Sequence, residues 1–252
     1  MTTFRRIALA FMAALLLAAS PASAETTPEQ KLEIEAIIRD YLIANPEVIE
    51  EAINALRARQ EQEAVAAQSK AIEESREAIF NSANQMVLGN PQGPITLVEF
   101  FDYNCSYCKR ALSDMTALID ANPDLRVVIK EFPILSEASV EAARISVAIK
   151  DSAPDNYLQF HQELFSRPGQ ASGDKALEIA KDLGLDPQAL MTAANSEAVT
   201  RNLQEVQQLA EVLGISGTPS YVIGGELVPG AAGYDALQEK VAAMRQCGAT
   251  KC

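Results

Sequence analysis

The chain has little positive charge and almost no histidine. It contains 21 lysines and arginines against 34 aspartates and glutamates, which gives a net charge of −13 at pH 7. Nucleic acids and anionic lipid surfaces bind basic proteins, so this balance argues against both as partners. The one histidine, His161, lies in an amphipathic helical pattern. We expect it to be a packing or surface residue, because a general base needs a nucleophile beside it.

Long hydrophobic runs are also missing, except at the N-terminus. Two arginines there precede an apolar stretch over residues 7–19, and a small-residue Ala-Ser-Ala pattern ends at Ala24. These features predict a signal peptide over residues 1–24 that is cleaved after Ala24. The stretch is shorter than the roughly 20 residues that span a bilayer. We therefore expect export to the periplasm, an oxidising compartment, and no membrane insertion of the mature chain.

Cysteine is scarce, with four in the chain, and the first two form a motif. Cys105 and Cys108 make a CxxC where an apolar, strand-like run over residues 95–101 ends. Apolar residues then recur at steps of four, three and four, which is one face of a helix. A CxxC between a strand and a helix is typical of thioredoxin-type redox sites.

The two sulfurs of this motif are predicted to differ. Cys105 would lie at the helix N-terminus, where unpaired N–H groups and the helix dipole favour a negative charge. Cys108 would lie one turn further, on the apolar face. We therefore expect Cys105 to be the attacking sulfur and Cys108 the resolving one, which releases a mixed disulfide.

The second pair, Cys247 and Cys252, allows three interpretations. Exported cysteine pairs usually oxidise, so a structural disulfide is favoured. Such a small loop would contribute only about 2 kcal/mol to stability. A second redox pair, or a metal site that combines both cysteine pairs and binds zinc or Cu(I), stays open.

Residues 25–84 are predicted to be helical. Asn45-Pro46 separates two amphipathic patterns, and beyond them Val65, Ile72 and Ile79 recur every seven residues. Two short helices cannot bury their apolar stripes unaided, so we predict an oligomerisation stalk. The alternative is a long solvated helix that packs back on its own domain.

Residues 85–252 are predicted to form an α/β domain. A turn joins two strands before the CxxC, and a buried strand over residues 125–132 completes a βαβ unit. Helical patterns fill residues 137–213, too long for a crossover, and indicate an inserted helical subdomain. Pro219 then begins another apolar strand, which leads through a Gly-Gly hairpin to a closing helix over residues 234–245. The sequence alone does not justify a cis peptide bond at Pro219.

With these motifs placed, residues 86–245 resemble the DsbA-like branch of the thioredoxin superfamily. The resemblance rests on residues 98–108, the helical insertion and Gly217-Thr218-Pro219. Residues 41–49 resemble the N-terminal extension of ScsC-like proteins. These are periplasmic DsbA relatives linked to copper tolerance, and some trimerise through the extension and act as disulfide isomerases.

The resemblance implies a role for five residues. Cys105 would be the nucleophile and Cys108 the resolving thiol. Pro219 would be a cis-proline that faces them, and the backbone of Thr218 would pair with an extended substrate. Glu99, six residues before the first cysteine, matches a buried acid that shuttles the proton of Cys108 if burial raises its pKa.

The resemblance also implies partners and a redox character. We expect no cofactor beyond a redox-active Cys105–Cys108 disulfide and no resident metal. The partners would be unfolded or misoxidised exported proteins, a membrane redox protein and further copies of the chain, with a trimer favoured. Ser106-Tyr107 replaces the Pro-His of DsbA, which predicts a milder oxidant. The alternatives are a monomeric DsbA-like oxidase and a copper-binding protein that uses the thiolates.

Overall fold

A computed structural model describes residues 26–252, which form two compact units that meet in sequence at Glu61 and Gln62. The predicted signal peptide lies outside the described residues. Among residues 26–252, no helix combines the length and apolar character needed to cross a membrane.

The first unit consists of helices. Helix α1 (Pro28–Ala44) begins at a capping box in which Thr27 and Gln30 satisfy each other's backbone N–H groups. Helix α2 (Glu47–Glu74) follows after Asn45 and Pro46 and continues into the second unit. Both predicted helices are therefore present. Their apolar side chains are exposed in the described chain: Leu32, Ile34, Ile37, Ile38, Tyr41, Ile43, Ile49, Ile53 and Leu56.

The second unit alternates strands and helices. Its strands are β1 (Met86–Gly89), β2 (Ile95–Phe101), β3 (Leu125–Glu131), β4 (Ser220–Ile223) and β5 (Glu226–Pro229). After the end of α2, its helices are α3 (Arg76–Phe80), α4 (Ser106–Ala121), α5 (Glu137–Ser152), α6 (Tyr157–Ser166), α7 (Gly173–Asp182), α8 (Pro187–Ala194), α9 (Glu197–Leu213) and α10 (Tyr234–Cys247). Helices α5 to α9 occupy the range predicted for the insertion.

The five strands form one mixed sheet in the order β1-β3-β2-β4-β5. Strands β2 and β3 pair in parallel through α4, whereas the other neighbours pair antiparallel. The predicted βαβ unit and the thioredoxin-like α/β fold are confirmed. The parallel register brings the C-terminal ends of β2 and β3 to the same edge of the sheet, and the CxxC follows β2 at this edge.

Alternate residues of β2 face two separate cores, as the period of a strand requires. Leu97 and Phe101 face α4 and the helical insertion. Val98 and Phe100 face the opposite side, where Ile72 and Ile79 also lie buried. The predicted seven-residue seam is therefore wrong for Ile72 and Ile79, because these side chains pack on the sheet of their own domain.

Two cationic side chains of β3 hold residues 78–80, at the end of α3, on the sheet. The Lys130 Nζ donates a hydrogen bond to the Ala78 carbonyl at 2.9 Å, and Arg126 donates to the Phe80 carbonyl at 2.6 Å. Burial lowers the pKa of Lys130 to about 8. Residues 72–80 thus supply part of the core of the second unit, which begins at Gln62.

Candidate active site at the end of strand β2

The two cysteines of the CxxC motif occupy different environments. Cys105 is the N-cap residue of α4, and its backbone N–H donates to the Asp102 carbonyl at 3.0 Å. Cys108 lies in the first turn and is 1% exposed, against 7% for Cys105. Both are free thiols in this structure. Cys105 is therefore the more accessible sulfur, at the end of the helix where N–H groups lack intrahelical partners.

The loop before β4 faces Cys105. The Thr218–Pro219 peptide bond is cis, and the Cys105 Sγ lies 3.1 Å from the Thr218 carbonyl oxygen, to which the thiol donates. A cavity of about 190 Å³ is lined by this loop, residues 214–220, and by Leu227, Pro229 and Gly230. The structure thus brings together the cysteine and the cis-proline loop that the resemblance placed opposite it.

Glu99 lies on the sheet face that α4 covers. It is buried, as predicted, and pairs in register with Ile129 of β3 and Tyr221 of β4. Burial raises the pKa of Glu99 to about 8, and the Tyr221 hydroxyl opposes part of that shift. Burial also raises the pKa of the Cys108 thiol, and the neighbouring Glu99 and Cys105 add to this increase. Near neutral pH both Glu99 and Cys108 are therefore mainly protonated.

A set of hydrogen bonds that the sequence analysis did not identify holds the loop before Cys105. One Asp102 carboxylate oxygen accepts the Asn104 N–H at 2.7 Å. The other accepts the N–H groups of Ile134 and Leu135 at 2.9 and 3.0 Å. Asp102 thereby ties the loop after β2 to the loop after β3.

Asn104 ties the same loop to the helical insertion. Its amide nitrogen donates to the Ser139 hydroxyl and to the Ala171 carbonyl, both at 2.9 Å. Its amide oxygen accepts the Ala171 N–H at 2.8 Å. The side chain of the residue directly before the first cysteine is thus fixed by three hydrogen bonds. The only sequence signal for these hydrogen bonds is the Asp-x-Asn directly before the CxxC, because the partners of Asp102 and Asn104 are distant in the chain.

Replacing Asn104 with alanine is expected to destabilise the folded protein by about 2–3 kcal/mol, because Ala171 would keep a buried, unpaired N–H and C=O. Urea unfolding at fixed protein concentration measures the change. Asn195→Ala is the matched control, because its amide bonds only the Met191 carbonyl in its own exposed helix end. Equal effects of the two substitutions would contradict this role of Asn104.

His161 belongs to a buried aromatic cluster beside the site. The Tyr103 hydroxyl lies 2.9 Å from His161 Nδ1 and 2.8 Å from the Ser146 hydroxyl. The imidazole ring also contacts Phe101 and Phe165 edge-on. Burial lowers the pKa of His161 to about 3, so the ring is neutral. Its role here is packing, as predicted.

A second buried acid adjoins this cluster. Glu131, the last residue of β3, accepts a hydrogen bond from the Tyr157 hydroxyl at 3.2 Å. Burial raises the pKa of Glu131 to about 8. Within residues 26–252, Glu99 and Glu131 are therefore two buried carboxyl groups that stay mainly protonated at neutral pH.

The C-terminal cysteines lie away from this site. Cys247 and Cys252 form a disulfide, and both are exposed. Beside them, Arg245 bonds Asp124 at 2.6 Å, at the start of β3 and so at the sheet edge opposite the CxxC. The structure does not bring the two cysteine pairs together. Within residues 26–252, no group of three or more His, Cys, Asp or Glu side chains is arranged to hold a metal ion.

The fold and the site define a thioredoxin-type protein with its CxxC at a helix N-terminus and a cis-proline opposite. Residues 96–242 match the model of the DSBA-like thioredoxin domain family. Residues 30–63 match the copper resistance protein ScsC N-terminal domain. Because the first match covers more than half of the sequence, the chain belongs to the DsbA-like thioredoxin domain family of thiol-disulfide oxidoreductases.

Individual relatives agree with this assignment. A thioredoxin-like oxidoreductase from Silicibacter pomeroyi DSS-3 is 41% identical, covering 68% of this chain and 98% of that one, with a TM-score of 0.65. A linker-deletion variant of Proteus mirabilis ScsC is 29% identical, covering 88% of this chain and 99% of that one, with a TM-score of 0.65. Disulfide bond formation protein D of Bacillus subtilis is 26% identical over 62% of this chain and 75% of its own length.

Proposed function

We propose that this protein exchanges disulfides with exported proteins in the periplasm, through Cys105, and that it acts as an oligomeric disulfide isomerase. The observation that carries the exchange activity is the 3.1 Å contact between the Cys105 Sγ and the Thr218 carbonyl beside the cis-proline. A client that forms a mixed disulfide with Cys105 can pair its backbone with Thr218 at the same moment.

The exchange proceeds in two steps. The Cys105 thiolate attacks one sulfur of a client disulfide, which forms a Cys105–client bond and releases the other client sulfur as a thiolate. Glu99, in its ionised form, then takes the proton of Cys108, and the Cys108 thiolate attacks Cys105. The Cys105–Cys108 disulfide forms, and the client leaves reduced. When a different cysteine thiolate of the client attacks the client sulfur of the mixed disulfide first, a new client disulfide forms and Cys105 leaves as the thiolate, so the client is isomerised and Cys105 is regenerated.

The surface around Cys105 suits unfolded clients. Tyr107, between the two cysteines, is 57% exposed, and Leu135, on the loop that Asp102 holds, is 53% exposed. The Arg110 guanidinium stacks 4.3 Å over the Tyr107 ring, which orders that side chain. Exposed apolar groups next to a reactive sulfur favour extended segments that expose apolar side chains of their own.

Oligomerisation is proposed from the first unit. Its helices leave nine large apolar side chains exposed, which is far more than two isolated helices tolerate in water. The match of residues 30–63 to the ScsC N-terminal domain supports an assembly through this region. Several copies of the chain, with a trimer favoured, would present several Cys105 sites to one client, and a membrane redox protein would return them to the dithiol form.

An isomerase that depends on this assembly is expected to lose most of its activity when the assembly is broken. Ile38→Glu places a charge on the exposed apolar stripe of α1 and should convert the oligomer to monomer, with about a tenfold loss in the reactivation of scrambled ribonuclease. Light scattering on the same samples reports the mass. Arg39→Glu, the adjacent residue on the same helix, is the matched control and should leave both properties unchanged.

The outcomes separate the candidate functions. Equal isomerase activity of monomer and oligomer would reject the assembly-dependent role, and a monomeric wild-type protein that only oxidises reduced clients would support the DsbA-like oxidase. The copper alternative is supported by the name of the matched N-terminal family and by two adjacent free thiols. A Cu(I) titration of the dithiol protein tests it, and Cys105→Ser should abolish binding if these thiolates are the ligands.

A further inference from the structure

The first two turns of α4 carry the positive charges nearest to Cys105 in the sequence. These charges belong to Lys109 and Arg110, and both residues are exposed. The Lys109 N–H donates to the Cys105 carbonyl at 3.0 Å, so Lys109 lies one helical turn after Cys105. Because the side chains of a helix lean towards its N-terminus, the Lys109 ammonium is directed towards the turn that holds Cys105.

Arg110 is held at the same end of the helix. Its guanidinium lies 4.3 Å from the centre of the Tyr107 ring, and Tyr107 stands between the two cysteines. Neither Arg110 nor Lys109 forms an ion pair with a carboxylate of residues 26–252. We call these two side chains the cationic rim, and both of its charges are available to a client.

The loops that contact the active-site loop contain no acidic residue. Hydrogen bonds connect the loop of Cys105 to residues 132–136, residues 167–172 and residues 214–219. None of these stretches contains aspartate or glutamate. Their one charged residue, Arg167, pairs with carboxylates of α6 and α7. These loops therefore place no negative charge against the cationic rim.

The acidic residues that flank these segments are buried, half-buried or on the bordering helices. Glu99, Asp102 and Glu131 are buried, and the Asp102 carboxylate already accepts three backbone N–H groups. Asp114, in the third turn of α4, is half-buried. The exposed acids lie on α5, α7 and α9: Glu137, Asp174 and Glu211. Within the loops and the first two turns of α4, the exposed charges without an ion-pair partner are those of the cationic rim.

We propose that the cationic rim selects client segments that carry an acidic residue beside the reacting cysteine. This inference rests on the proposed disulfide exchange and names the class of segment that the site prefers. The chain as a whole has 34 acidic residues against 21 basic ones, so most of its surface repels such a segment. The attraction is confined to the cationic rim, which steers the segment to Cys105. A segment with a basic residue beside its cysteine is repelled there and attracted elsewhere.

Two alkylating reagents of similar size test the charge around Cys105 without any disulfide exchange. Iodoacetate carries a negative charge and iodoacetamide carries none. The ratio of their rates with Cys105 in the mature full-length dithiol protein does not depend on how much of Cys105 is thiolate, because both reagents need the thiolate. We expect Lys109→Glu combined with Arg110→Glu to lower this ratio about fivefold at low ionic strength, and about 0.5 M salt to remove most of the difference. Mass spectrometry confirms that Cys105 is the residue alkylated.

Client selection is measured with two peptide disulfides that differ only in the residues beside the cysteines, glutamate in one and lysine in the other. Acid quenching in a single turnover gives the rate at which each forms a mixed disulfide with Cys105. Each rate is divided by the rate of the same peptide with a small neutral thiol, which removes intrinsic differences in reactivity. The wild-type protein should prefer the glutamate peptide about fivefold, and the double reversal at the cationic rim should invert this preference.

Two control variants separate local charge from other effects. Arg110→Lys keeps the charge but loses the planar stack on Tyr107, and it should keep the wild-type ratios. Lys181→Glu combined with Arg201→Glu reverses the same number of charges at exposed positions in the last turn of α7 and on α9. This variant should leave both ratios within about twofold of the wild type.

The outcomes distinguish this proposal from the proposed function. Ratios that the double reversal at the cationic rim leaves unchanged, or that the control pair lowers equally, would overturn the selection by charge. If neither peptide forms a mixed disulfide with the wild-type protein, the proposed function fails, but the alkylation ratio still decides whether the cationic rim attracts anions. If both peptides react and the double reversal does not alter the preference between them, only the selection of acidic segments is rejected.

Discussion

Replacing Cys105 with serine is expected to abolish disulfide exchange, with a loss of roughly a thousandfold or more in the rate of reaction with a disulfide-bonded client. A hydroxyl at the same place neither ionises at neutral pH nor forms a bond that a second thiol displaces. The fold should be retained, because serine is close to cysteine in size and its hydroxyl can replace the one hydrogen bond of the thiol, to the Thr218 carbonyl. Stopped-flow fluorescence with a quenched peptide disulfide measures the rate.

Two controls make this result specific. Ser106→Ala changes the next residue of the same helix turn, keeps both sulfurs, and should retain activity within a few-fold. The double substitution of Cys247 and Cys252 by serine removes the exposed C-terminal disulfide and should also retain it. A loss as large as that of Cys105→Ser in this double variant would show that the C-terminal pair takes part in exchange, against the separation of the two pairs in the fold.

The stability of the dithiol protein is expected to fall steeply as the pH rises from about 6.5 to 8. Burial raises the pKa of both Glu99 and Glu131 to about 8 in the folded protein, whereas unfolded glutamates titrate near about 4.3. Between these values the folded state holds two more protons than the unfolded state. Each group then lowers the folding equilibrium constant by up to about tenfold per pH unit, and the two together by about a hundredfold.

The pH window follows from the other shifted groups. Burial lowers the pKa of His161 to about 3, so its contribution to stability increases up to about pH 6.5 and opposes the glutamates below that value. Lys130, with its pKa lowered to about 8, is protonated in both states below pH 8 and adds a rising contribution only above it. Between pH 6.5 and 8 the two carboxyl groups therefore dominate.

Urea unfolding at several pH values and one protein concentration measures this slope. Glu99→Gln and Glu131→Gln should each halve it, and the double variant should be nearly independent of pH in this window. Glu239→Gln, an exposed residue of α10, is the control and should keep the wild-type slope. A wild-type stability that rises over the same window would contradict the buried, protonated state of both acids.

The position of the CxxC and the burial of Glu99 could be predicted from the periodicity of the sequence. The change from a strand-like run to a helical spacing at Cys105 placed the CxxC at the N-terminus of α4, and the apolar neighbours of Glu99 indicated a buried acid. The parallel pairing of β2 and β3 follows from the strand-helix-strand order. These features depend on short stretches of chain, in which the pattern of apolar residues determines which face is buried.

The features that were missed depend on partners distant in sequence. The seven-residue spacing of Ile72 in α2 and Ile79 in α3 indicates that both side chains are buried, but it does not identify the surface that buries them. That surface is the sheet of the same domain. Likewise, the hydrogen bonds of Asn104 join it to Ser139 and Ala171. Such bonds leave no periodic signal, because they join residues that are 35 and 67 positions apart in the sequence.

The measurement that tests the central claim most directly is the identity of the sulfur that bonds to a client. Cys108→Ser removes the resolving thiol, so a mixed disulfide with an unfolded, disulfide-bonded client should accumulate. Peptide mapping of the trapped complex by mass spectrometry should find the client joined to Cys105. A client joined to Cys247 or Cys252, or no covalent complex at all under conditions where the wild-type protein exchanges disulfides, would contradict the account.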